Sequence, residues 1–85
     1  MRHYTSGIVK DFRWMGKAGF VFIDDGSVAN QIYVKSDMIG QETYDKVRAN
    51  LKIGDWIASQ GAIFTTRTGN EAIRASELVM IAREG

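Results

Sequence analysis

Apolar residues fall along this chain in short runs separated by turn signals, a spacing that suits strands better than long helices. Ile8–Trp14 mixes β-branched and aromatic residues with charges and predicts a long, strongly bent first strand, closed by a turn at Met15-Gly16-Lys17. Ala18–Ile23 predicts a second strand, in which Gly19 permits close backbone approach or a bulge. Strict alternation there puts Phe20 and Phe22 on one face and Val21 and Ile23 on the other. The aliphatic pair suits an interior and leaves the two rings outside. Asp24-Asp25-Gly26-Ser27 is a hairpin signal, and Gln31–Val34 reads as the third strand. The only helical stretch is expected over Gln41–Asn50, where Tyr44, Val47 and Leu51 recur at i, i+3 and i+7. Ile53-Gly54-Asp55 closes it. Trp56–Phe64 reads as a fourth strand, Thr65–Asn70 as a polar loop and Ala72–Ile81 as a fifth strand.

The predicted order is β-β-β-α-β-β. Five strands with one helix between the third and fourth is the order of the OB fold, an all-β Greek-key barrel of small helical content whose helix plugs an open end. An SH3-like barrel is the rival, but it usually lacks that helix. Eighty-five residues without repeats, proline or a linker-like stretch read as one OB-fold domain spanning 1–85, with a stability margin of only a few kcal/mol.

Composition excludes more than it implies. The chain has no cysteine, so no disulfide or cysteine-based zinc site is available. No apolar run approaches the roughly 18 residues that span a bilayer, and residues 1–6 lack a secretory signal, so a cytoplasmic location without a membrane partner is expected. The formal net charge is +1. Residues 1–20 hold Arg2, Lys10, Arg13 and Lys17 against Asp11 (+3), whereas residues 21–45 hold Lys35 against Asp24, Asp25, Asp37, Glu42 and Asp45 (−4). Any basic stripe is therefore local to the first strand. His3 is the sole histidine and reads as an exposed terminal side chain, while Asp24 and Asp25 read as turn formers rather than paired catalytic carboxylates. No glycine pattern matches a phosphate loop. Neither catalysis, a metal nor a cofactor is expected.

Binding is better supported. OB folds hold single strands by stacking bases on aromatics of the second and third strands, with basic loops steering the backbone. Phe12, Trp14, Phe20, Phe22 and Tyr33 are the candidate rings, some of which must fill the barrel, and Arg13, Lys17 and Arg67 lie in or beside the loops that flank this face.

These residues fall into motifs that resemble a known family. Arg13-Trp14-Met15-Gly16-Lys17-Ala18-Gly19-Phe20 resembles the R-x-M-G-K-A-S-F segment of the anticodon-binding OB domain of bacterial-type, class II lysyl-tRNA synthetases. Gln31-Ile32-Tyr33-Val34, eleven residues after Phe20, resembles that domain's I-Q-L-Y-V strand. Asp55 fits its I/L-G-D, Phe64-Thr65-Thr66-Arg67-Thr68-Gly69 its F-x-T-K/R-T-G loop, and Ser76-Glu77-Leu78 its closing strand. Gly19 replaces the family's serine. Asn70 stands where the family has the glutamate of T-G-E, with Glu71 one residue later, and Ala29-Asn30 stand where it has arginine and an apolar residue.

The resemblance implies recognition of the U-rich anticodon of lysine tRNA. Phe20 would stack on the central base, Gln31 would hydrogen-bond a uracil edge, and Arg13 would contact base or phosphate. Phe22, Tyr33, Lys17, Arg67 and Glu71 would support them. It also implies a separate catalytic domain, which these residues do not contain. Two other uses of such a barrel are a re-purposed or engineered scaffold that binds a protein partner through its aromatic face, and a module whose sheet face forms a homodimer.

Overall fold

A computed structural model describes residues 3–24 and 30–81 of the chain. Its elements are β1 (His3–Met15), β2 (Ala18–Ile23), β3 (Gln31–Lys35), α1 (Ser36–Ile39), α2 (Gln41–Asn50), β4 (Trp56–Thr65) and β5 (Glu71–Ile81). The strands close into a barrel in the order β1-β2-β3-β5-β4, every pairing antiparallel except the parallel β3–β5 contact that seals it. This is the expected OB architecture.

Alternation places the core. Val21, Ile23, Ile32, Val34, Ile57 and Ala75 point inward and are buried. Tyr44, Val47 and Leu51, the helical stripe read from the sequence, cap one end of this core. Two bulges bend long strands so that each can pair with two neighbours: β1 carries an extra residue, Lys10, between Val9 and Asp11, and β5 carries one, Ser76, between Ala75 and Glu77, opposite Gly61 and Gln60 of β4.

Two differences from expectation have physical causes. β1 begins at His3, five residues before Ile8, because its first half pairs with β4 from His3 opposite Gly61 to Ile8 opposite Trp56. That partner is distant in sequence and leaves no local signal. His3 is accordingly a half-buried strand residue and not a free terminal side chain. A one-turn helix, α1, precedes the expected one, and Gly40 at φ 97° separates the two. Only a residue tolerant of positive φ turns the chain there without strain. Most of the Asp24–Ser27 hairpin signal, and Ala29, lie outside the described residues. No helix among the described residues is long and apolar enough to cross a membrane.

Candidate nucleic-acid interface

Residues directly opposite one another in a sheet share a face, so the ladder registers define the outer surface of the barrel. One row runs Arg13–Phe20–Tyr33–Arg74–Ala62 across β1, β2, β3, β5 and β4. Its neighbour runs Asp11–Phe22–Gln31–Ala72–Phe64 across the same strands. Two adjacent rows thus gather four aromatic rings, an amide and two arginines that are far apart in sequence.

The rings touch in a chain. Phe22 stacks beside Phe20 at 6.3 Å between centroids, Phe20 meets Tyr33 at 5.0 Å, and Tyr33 meets Phe64 edge-on at 5.8 Å. The Arg74 guanidinium ends the chain 5.0 Å over the Phe64 ring, a cation–π contact. Ala72 lies among these side chains in the ladder and is fully buried although its register faces outward. Phe20, Phe22 and Tyr33 keep part of their surface open to solvent. Water meets flat apolar faces here, the arrangement on which an unpaired base can stack.

An open groove of about 380 Å³ follows this platform, lined by Arg13, Met15, Phe20, Phe22, Gln31 and the Thr66–Thr68 loop. That loop is braced internally. The Thr66 N–H donates to the Asn70 carbonyl, Gly69 N–H to the Thr66 carbonyl, and Asn70 N–H to Thr66 Oγ1. Asn70 Nδ2 also donates to Thr68 Oγ1, so the residue in place of the family's glutamate acts as a loop brace. The brace holds Arg67 at the rim of the groove.

Of the residues singled out in the sequence, Arg13, Phe20, Phe22, Gln31 and Arg67 therefore meet in one groove, and Tyr33 joins through Phe20. Lys17 does not line it. It lies in the β1–β2 turn and faces a neighbouring cleft. Glu71 opens β5 opposite Thr65, one residue before the outward-facing Ala72, and alternation turns its side chain to the other face. Phe12 and Trp14, candidate stacking rings in the sequence, point the other way as well. They pack against the core, with Trp14 edge-on to the buried Tyr44 at 5.8 Å. Sequence reasoning missed Phe64 and Arg74 as members of the face. The alternation of Ala62 and Phe64 against Ile63 was a readable signal for the first. The guanidinium contact of the second depends on a β4–β5 register that no local pattern reveals. Among the described residues, no group of three or more His, Asp or Glu could hold a metal ion.

No family model matches the chain. It is 38% identical over 78 residues, 92% of its length, to a lysine–tRNA ligase of Campylobacter hominis. It spans only 16% of that protein's length. Among solved structures, asparaginyl-tRNA synthetase from Pyrococcus horikoshii superposes over 95% of this chain and 20% of its own, with a TM-score of 0.81 and 24% identity. An OBody, AM1L10, solved bound to hen egg-white lysozyme, superposes over 98% of this chain and 80% of its own, with a TM-score of 0.76 and 18% identity. The two structural likenesses bear on the fold, and the sequence likeness on descent. Together they show that the chain belongs to the OB-fold domains related to the N-terminal region of lysine–tRNA ligases.

Proposed function

We propose that this domain binds single-stranded RNA on its aromatic face, with the U-rich anticodon loop of lysine tRNA as its ligand, and that it acts by binding rather than by catalysis, alongside the translation machinery of the cytoplasm. The observation that carries the reading is the register that sets Phe20, Phe22 and Gln31 side by side at the floor of one groove, with Arg13 and Arg67 on its walls. Each base–aromatic stack contributes about 1–3 kcal/mol and tolerates any base. Selectivity must therefore come from an edge reader. A glutamine amide both donates and accepts, matching the N3–H and carbonyls of uracil, and Gln31 stands next to the ring of Phe22 in the ladder. The two arginines offer planar donors to phosphate or base.

A second reading has its own observation. The OBody of the same fold was solved bound to a protein, lysozyme, and aromatic faces ringed by arginine are also what protein interfaces favour. In that case the same four rings would meet a protein.

Titration with a lysine-tRNA anticodon stem-loop and a loop-scrambled control at two salt concentrations separates the two. Tighter, salt-sensitive binding of the U-rich loop is expected, because phosphate contacts release counterions. Equal binding of both loops would retire anticodon recognition, and no RNA binding at either salt would favour the protein partner.

A further inference from the structure

The aromatic platform ends abruptly toward the β1–β2 turn. The next row along the same face is Met15–Ala18–Lys35, about 6.6 Å beyond the Arg13–Phe20–Tyr33 row at two residues per step. Here the ring of the middle strand is replaced by the methyl of Ala18. The floor drops into a second open cleft of about 620 Å³, lined by Met15, Lys17, Ala18, Lys35, Ser36 and Asp37 and bounded by the start of α2 at Gly40 and Gln41. Met15 lines both clefts, so they are neighbours on this face. The chemistry changes along the track from rings that stack bases to two ammonium groups.

We propose that this second cleft carries the phosphate backbone of the nucleotides that leave the aromatic groove, gripped by Lys17 and Lys35. The inference rests on the RNA-binding reading and names where the strand goes next. Three observations support it. The turn that holds Lys17 is tied down at two successive carbonyls. Gly16 O accepts from Tyr44 Oη at 2.8 Å and from Arg48 Nη1 at 3.0 Å, and Lys17 O accepts from Ser36 N–H at 2.9 Å. The lysine is thus rooted on a fixed backbone while the residue itself is exposed.

Lys35 is held only loosely. Its ammonium lies 3.9 Å from the Asp37 carboxylate, with 46% and 72% of the two side chains exposed. An exposed pair of this kind contributes little, so an incoming phosphate can take over the lysine. Asp37, the one carboxylate among the described residues that line the cleft, opposes the phosphate and sets a sign for the test. Finally, OB folds cover about 4–16 nucleotides each, a range that runs well past the four rings of the two rows, and the next row along this face toward the β1–β2 turn lies in this cleft.

The test is fluorescence anisotropy with uridine oligonucleotides of about three and eight nucleotides, at salt between about 50 and 200 mM. The proteins are the unmodified chain, Lys17→Gln/Lys35→Gln, Asp37→Asn and Phe20→Ala. The longer oligonucleotide should bind tighter than the shorter one to the unmodified chain, and the double lysine variant should lose that advantage. Its slope of log affinity against log salt should fall by about 0.7 for each phosphate that the protein no longer neutralises. Asp37→Asn should tighten the longer oligonucleotide by about two- to fivefold and leave the shorter one unchanged. If the lysine variant keeps the full length advantage and salt slope while Phe20→Ala weakens both oligonucleotides, the phosphate path is wrong and the aromatic reading stands. If the unmodified chain binds neither oligonucleotide, both fall.

Discussion

Trp14 stands directly across the β1–β2 ladder from Gly19 and fills the space that a side chain at position 19 would need. A Cβ built at Gly19 collides with the indole Cε3 and lies 2.7 Å from the Arg13 carbonyl oxygen. In the motif of the family, serine precedes the stacking phenylalanine. The geometry makes the glycine here the counterpart of the tryptophan: an indole lies over the strand where a side chain is missing.

Gly19→Ser is therefore expected to destabilise the fold by about 1–3 kcal/mol through overpacking, read as a lower midpoint in urea denaturation. Combined with Trp14→Leu, the serine should cost less than it does alone, a coupling of about 0.5–3 kcal/mol in a double-mutant cycle. The Arg13 carbonyl remains in place, so recovery should be partial. Strict additivity would show that the two sites are independent.

Phe20→Ala should weaken binding of the U-rich loop by about 1–3 kcal/mol with the circular dichroism spectrum unchanged, since the ring lies on the outer face and Val21 and Ile23 supply the core. An unchanged affinity would remove Phe20 from the site. Phe64→Ala should weaken it too, because it removes the last ring of the platform and frees the Arg74 guanidinium. Both losses should appear with scrambled loops, as stacking does not discriminate among bases.

Gln31→Glu tests selectivity. A carboxylate accepts but does not donate, and it adds a negative charge beside the RNA. The preference for uridine over cytidine oligonucleotides should collapse while the Phe20→Ala effect persists. Retention of the preference would mean that another group reads the base edge.

Tyr44→Phe keeps the ring that packs under Trp14 and removes the hydroxyl that donates to Gly16. Arg48 still donates to the same carbonyl, so the stability loss should be modest, about 0.5–1.5 kcal/mol. The denaturation slope should stay the same while the midpoint falls.

The elements and most of their faces were legible in the amino-acid order alone. The period-2 alternation of Phe20, Val21, Phe22 and Ile23 and the helical stripe of Tyr44, Val47 and Leu51 are local properties. A strand or helix with one apolar face can bury only that face, so the core could be read residue by residue. The spaced motifs around Arg13, Phe20, Gln31 and Arg67 likewise marked the groove.

Which residues meet across the barrel emerged only on folding, because strand register between distant segments depends on how the whole sheet closes. His3–Gly7 became strand by pairing with β4. Phe12 and Trp14 turned inward because the register sets them opposite Val21 and Gly19 on the core side. Phe64 and Arg74 joined the face because β4 and β5 align them with the rows of Gln31 and Tyr33. Glu71 turned away because a one-residue shift in a strand reverses the face of a side chain.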